Sequence, residues 1–262
     1  MITADYHVHS CFSDGEDSPS AVAEAAFRSG MTVLGFADHG FAPYDTDCCI
    51  PAQRMGEYVR EIRSLREEYR GRMDVLCGIE QDIYAGAPER DCDYVIGSVH
   101  YLRLGDEYCT VDWKAEILRA ACENYFAGDW YALCEEYFRT VGSVAEQTRC
   151  DVIGHFDLVC KLNEREKLFD ENDERYRRAW RQAADRLLET GKPFEINTGA
   201  ISRGYKSVPY PSAEILAYLI RRGARFLLSS DSHSRLTLRY AFDIWEAQAL
   251  SLGAKLIRSP FE

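Results

Sequence analysis

The six histidines of this chain are His7, His9, His39, His100, His155 and His233. Six is an ordinary number for 262 residues, but their placement is not ordinary. Each closes or closely follows a short apolar run: ITADYHVH, VLGFADH, YVIGSVH, DVIGH and FLLSSDSH. One further run, MDVLCGIE, ends in an acid, Glu80. Imidazole and carboxylate ligands together suit Zn, Mn or Fe. In His7-Val8-His9 the two-residue period of a strand puts both imidazoles on one face, within reach of one ion. His100, His155 and Asp231 extend the pattern to later strand ends. A lone histidine at a strand end is ordinarily structural or merely exposed. Six independent placements of this kind make a shared metal site the better explanation. A carboxylate such as Glu80 can bridge two ions, and ions about 3.5–4 Å apart clamp both attacking and leaving oxygens. Water on such an ion ionises near pH ~7, which supplies hydroxide under neutral conditions.

Something must carry these groups to one place. Strand-like segments lie at 2–8, 32–37, 73–79, 94–99, 151–155, 193–197 and 225–230. Most are continuous apolar runs, as expected of parallel strands buried on both faces. Helical patterns fill the intervals. Ser18-Pro19 starts one that Gly30 stops, and others cover 52–70, 115–148 with a break near Gly128, 173–190, 211–222 and 238–251. Alternating β and α units predict a parallel sheet. A single barrel domain over 1–262 is favoured, because its strand C-termini converge on one face. An open doubly wound sheet has the same local pattern.

Composition narrows the partners. The formal net charge of −12 disfavours nucleic acid. Bound cations can still reverse the field inside a pocket and admit an anionic substrate. No apolar run is long enough to span a bilayer. The ten cysteines include no C-x-x-C pair, and adjacent Cys48 and Cys49 are poorly placed to share a structural metal. Cys77, Cys122 and Cys134 read as small core hydrophobes. Met1 leads directly into a strand, so a cytoplasmic protein with reduced thiols is expected. Oligomeric state is not legible.

Taken in order, DYHVHS-x-x-SDG, FADHG, GIEQD, VIGSVHY, GHFDL and SSDSH resemble the motifs of the PHP (polymerase and histidinol phosphatase) family over nearly the whole chain. VIGSVHYL, FEINT and YPSAEIL make the likeness greatest to histidinol-phosphate phosphatases. The resemblance implies a distorted seven-stranded (β/α) barrel holding two to three divalent ions. Carried over by motif, His7, His9, Glu80 and Asp231 hold the first ion, and Glu80, His100 and His155 the second. His39 and His233 hold the third with one more ligand from the first loop. Many histidinol phosphatases carry a histidine there; this chain has Gly15, and Asp14 is the natural substitute. The implied reaction is hydrolysis of L-histidinol phosphate, a step of histidine biosynthesis, by attack of a metal-bridging hydroxide on phosphorus. Asp231 or His233 would protonate the leaving alcohol.

Substrate contacts are sought in the loop EINTGAISRGYKSVPYPS, which carries Asn197, Arg203 and Lys206. A guanidinium suits bidentate phosphate binding, whereas a solvated basic loop is the plain alternative. The family often places an arginine near position 160; here Cys160 is followed by Lys161. Asp157 could pair with a substrate amine or orient His155. Tyr101, Arg103 and Trp113 follow the fourth strand, with simple loop packing expected of Trp113. Other readings are a different PHP phosphoesterase, a non-catalytic metal-binding barrel, or an amidohydrolase, for which no suitably placed lysine is found.

Overall fold

The computed structural model describes residues 1–86 and 91–262. All seven expected strand regions form strands: β1 (Ala4–Val8), β2 (Val33–Phe36), β3 (Asp74–Asp82), β4 (Tyr94–Ser98), β7 (Val152–Ile153), β8 (Phe194–Asn197) and β9 (Arg225–Ser229). They pair in parallel, in that order. Beyond the seven expected strands, an eighth, β10 (Lys255–Leu256), pairs with Arg225 and Phe226. The sheet is therefore a curled parallel sheet of eight strands. Val8 and Ser232 form a parallel bridge, and the His9 N–H donates to the Ser232 carbonyl at 2.8 Å. The curl thus brings the end of β1 against the segment after β9.

A two-stranded antiparallel hairpin, β5 (Tyr101–Leu104) and β6 (Glu107–Thr110), is a second addition. Gly105 takes φ +65° in its turn, a conformation that costs glycine little. Leu102 and Leu104 are buried while Arg103 between them is exposed.

Helices cover the outer face. α1 (Pro19–Arg28) starts where the Ser18 hydroxyl accepts from the Ala21 N–H at 3.3 Å. α2 (Met55–Glu68) buries Tyr58, Val59 and Ile62 against the first strands. The expected break at Gly128 separates α3 (Ala115–Phe126) from α4 (Trp130–Val141), and α5 (Val144–Thr148) follows. After the short α6 (Asn163–Glu166), α7 (Glu174–Leu188) packs its Ala179, Trp180 and Ala183 edge inward. Ion pairs tie α7 to its neighbours: Arg175 to Asp129 and Glu135, Arg177 to Glu214. α8 (Gly199–Ser202), α9 (Ala213–Arg221) and α10 (Phe242–Ser251) complete the chain.

Inside the curl, near the N-terminal ends of the strands, Tyr94 fills the space. A Cβ at Gly78 would fall 2.2 Å from its ring, and one at Gly35 2.4 Å from its hydroxyl. That hydroxyl donates to the carbonyls of Tyr6 and Phe36 at 2.5 and 3.0 Å. Burying such a ring contributes about 2–3 kcal/mol. With this end filled, the C-terminal ends of the strands are left to form the open side.

Candidate metal centre

Glu80 stands at the centre of the open side, 1% exposed on β3. Its Oε2 lies 3.2 Å from His7 Nε2, 3.5 Å from His9 Nε2 and 3.0 Å from His39 Nδ1. Its Oε1 lies 2.9 Å from His155 Nε2 and 3.3 Å from His100 Nε2, and accepts from the Ser98 hydroxyl at 2.6 Å. One carboxylate therefore meets five of the six imidazoles. Asp231 Oδ1 approaches His9 Nε2 at 3.3 Å and His7 Nε2 at 3.8 Å. Asp231 holds φ +49°, an uncommon conformation for a residue with a side chain. The sixth imidazole belongs to a group around Asp14, whose Oδ2 is 3.2 Å from His233 Nε2. Asp14 Oδ1 is 3.7 Å from His39 Nε2 and 3.6 Å from His9 Nδ1.

These spacings suit cations. With bonds of about 2.1 Å, neighbouring ligand atoms on one ion fall roughly 3.0–3.4 Å apart. Within 4.8 Å of one another lie atoms of His7, His9 and Glu80; of His39, Glu80 and His100; and of His9, Asp14, His39 and His233. The ring nitrogens supply the fit. His7 Nε2, both nitrogens of His9 and His155 Nδ1 are buried without a hydrogen-bond partner among the described residues. Buried polar atoms are ordinarily satisfied. A cation between imidazole and carboxylate would satisfy His7 Nε2 and one nitrogen of His9, whose other nitrogen, as N–H, faces a carboxylate; His155 Nδ1 has no hydrogen-bond partner among the described residues.

The electrostatics agree. Burial alone would raise the pKa of Glu80, but the charges of His7, His100 and His39 outweigh it and hold Glu80 well below the carboxylate range. Burial works against His7 and His100 too. Glu195, Glu80 and Asp231 nevertheless lift His7 well above an ordinary imidazole, and Glu80 and Asp82 lift His100 to about 10. His39 rises likewise, beside Asp14 and Glu80. His9 goes the other way, to about 3, through burial and the nearby His233 and His39. Without a cation, protons on His7, His39 and His100 balance the carboxylates.

Buried acids hold the ligand residues in turn. His7 Nδ1 lies 2.7 Å from Glu195 Oε1, which also accepts from the Ser229 hydroxyl. Glu195 Oε2 accepts from the His155 N–H at 3.0 Å. Asp82 Oδ2 accepts from the His100 N–H at 2.8 Å and lies 3.5 Å from its Nδ1. Asp38 shapes the first loop, accepting from the N–H and hydroxyl groups of Ser10 and Ser13. Sequence reasoning passed over Glu195, Asp82 and Asp38. The available signal was an acid within or beside an apolar strand: PFEIN, GIEQD and FADHG.

The cavity above these groups has a volume of about 610 Å³. Arg203 and Lys161 line it. Arg203 donates to the Asp231 carbonyl at 2.8 Å and to its Oδ2 at 3.1 Å, and Lys161 pairs with Asp112 at 2.7 Å. Asn197 is buried at the base, its amide donating to Glu195 and Asp231. Two expectations are corrected. Lys206 does not line this cavity but another; it follows the turn after α8, where Gly204 takes φ +72°. Asp157 is buried outside the cavity lining and accepts from the Ser212 N–H at 2.9 Å; it does not orient His155, whose Nδ1 has no partner. Tyr101 and Trp113 do line the mouth, and Trp113 is 60% exposed rather than packed under a loop. Arg103 lies over the Tyr108 ring instead.

Comparison with known proteins settles the family. Residues 5–199 match the model of the PHP domain. The chain belongs to the PHP domain family. This PHP chain is 29% identical over 240 residues to a probable histidinol-phosphatase of Deinococcus radiodurans, covering 87% of this chain and 85% of that one. It is 24% identical to the histidinol-phosphatase of Bacillus subtilis, covering 93% and 98%. Two solved structures share the PHP chain's fold. One is the putative histidinol phosphatase of Listeria monocytogenes, with a TM-score of 0.78, 15% identity, and 92% and 99% of the chains covered. The other is the histidinol phosphate phosphatase of Lactococcus lactis complexed with zinc, L-histidinol and phosphate, with a TM-score of 0.69, 21% identity, and 97% and 95% covered. No helix among the described residues is long and apolar enough to cross a membrane.

Proposed function

We propose that this enzyme is a metal-dependent phosphomonoesterase that hydrolyses L-histidinol phosphate to L-histidinol and phosphate. The observation that carries the reading is Glu80, one buried carboxylate within 3.5 Å of five imidazoles. Its relatives' names supply the substrate. On this reading residues 1–262 act as one cytoplasmic PHP domain, a distorted barrel of seven strands to which β10 is an edge addition.

His7, His9, Glu80 and Asp231 would hold one divalent ion, Glu80, His100 and His155 a second, and Asp14, His39 and His233 a third. Zn, Mn or Fe bound there would supply Lewis acidity and an activated water. Arg203 and Lys161 would bind phosphate oxygens from the cavity wall. Asn197 keeps Asp231 in place through its amide. Burial works against the charge on Asp231, but Arg203 and His7 hold it well below the carboxylate range, so it stays a carboxylate. The proton for the leaving alcohol therefore falls to His233 Nε2. That atom cannot give a proton while it holds an ion, so filling of the third site and proton delivery by His233 exclude each other.

The test is phosphate release by purified protein supplied with Mn or Zn. Histidinol phosphate should be cleaved with a kcat/KM well above that for nucleotide, sugar and phosphopeptide monoesters. A better substrate among those would refute the assignment.

A further inference from the structure

A second cavity, of about 660 Å³, lies on the other side of the loop that follows β8. Lys206 lines it and is only 7% exposed. Among the described residues its ammonium has no ion-pair partner within 4.0 Å. The acids around it already have partners, Asp170 at Asn172 and Asp157 at the Ser212 N–H, although Asp157 Oδ1 is buried without one among the described residues. Glu164 accepts from the N–H and hydroxyl of Ser207, Glu171 from the Asn163 amide, and Glu214 pairs with Arg177 and Arg181. A buried ammonium without a counter-ion is costly. Phe169, Val208 and Ile215 line the same space and are apolar.

We propose that this cavity is a second ligand site for a small organic anion, with its carboxylate or phosphate group on Lys206 Nζ and its apolar body against Phe169, Val208 and Ile215. The size fits, since ligand cavities commonly enclose about 300–1,000 Å³. Lys206 is cationic there: burial opposes its charge, but the nearby carboxylates of Asp157, Glu171 and Glu164 hold its pKa above the usual lysine value. The same loop carries Arg203 and Tyr205 into the metal-side cavity and Lys206 and Val208 into this one. An occupant on Lys206 therefore bears on the position of Arg203.

The experiment uses full-length protein stripped of metal by a chelator, so it does not depend on the phosphatase reading. Calorimetric titration with inorganic phosphate, and separately with phenylacetate, should give saturable one-to-one binding of at least one. Binding of phosphate alone marks a phosphorylated ligand, and of phenylacetate alone a carboxylate. Lys206→Met should weaken that binding at least tenfold, and Lys206→Arg should retain it, with thermal melts confirming folded protein. Should the Met variant fail to fold, Val208→Glu places a carboxylate beside the ammonium from a half-buried position and should give the same loss. Absence of saturable binding by either anion overturns the proposal. So does undiminished binding in a folded Lys206→Met or Val208→Glu variant.

Discussion

Glu195→Gln isolates how far a ligand depends on the group behind it. The substitution keeps shape and removes one charge. Glu195 Oε1 sits 2.7 Å from His7 Nδ1, and at an effective dielectric constant of about 20 the gross attraction to an imidazolium is roughly 6 kcal/mol. Most of that is offset by the cost of burying the carboxylate. Partners behind metal-ligating histidines are worth about 10–100-fold in metal affinity, roughly 1.4–2.7 kcal/mol. The same carboxylate raises the affinity of His7 for a proton, and a proton competes with the metal. Removing Glu195 therefore weakens metal and competitor together at low pH, but only the metal once His7 is deprotonated. The expected result is a loss that grows with pH between about 6 and 9 and is largest for the metal equivalent held by His7. Chelator-competition titrations of metal affinity across that range, in wild type and variant, measure it. Unchanged affinity, or a loss that shrinks as pH rises, would refute the role given to Glu195.

Two further outcomes follow from the same geometry. His100, lifted to about 10, and the similarly raised His7 and His39 carry protons at neutral pH in the absence of metal; a cation can bind only when they leave. Metal binding at pH 7 should therefore release more than one proton, read as a calorimetric enthalpy that varies with the ionisation enthalpy of the buffer, and affinity should rise with pH. Gly15→Ala should cost about 1–3 kcal/mol of stability, because its Cβ would lie 2.7 Å from backbone atoms of His9 and Ser10. The shift displaces neighbouring Asp14, so urea unfolding should show the loss of stability and metal titration the selective loss of the equivalent held by Asp14, His39 and His233.

The strands and the histidines were legible for one reason: continuous apolar runs are strong signals, and all but the run at 193–197 carried a candidate ligand at or just after the C-terminal end. Asp14 was placed from motif position, and the geometry around Gly15 gives a physical reason for it, since the loop backbone leaves no room for a side chain there. The hairpin was also legible and was overlooked. Leu102 and Leu104 alternate with Arg103, and Gly105-Asp106 is a turn pair between short runs. β10 was not legible, because two residues carry no periodicity. Nor were the directions of Lys206 and Asp157. They depend on how α8 and the short turn after His155 rotate the chain, and side-chain direction in irregular segments follows tertiary packing rather than any local repeat.

The acids behind the ligands sharpen what the histidine pattern means. A metal site read only from its first ligands is a set of attractive residues. With Glu195, Asp82 and Asp38 included, it is a buried excess of negative charge that imidazolium protons balance until a cation replaces them. His9 is the exception within that set. Its pKa is depressed to about 3, and both its nitrogens are buried without a hydrogen-bond partner among the described residues, one facing Asp14 and the other facing Glu80 and Asp231. It therefore offers a lone pair at neutral pH without first losing a proton. The first cation to enter meets least competition at His9, and its charge then disfavours the protons on His7 and His39. Loading of the remaining ligands should be easier after that first step, which makes His9 the residue on which assembly of the centre turns.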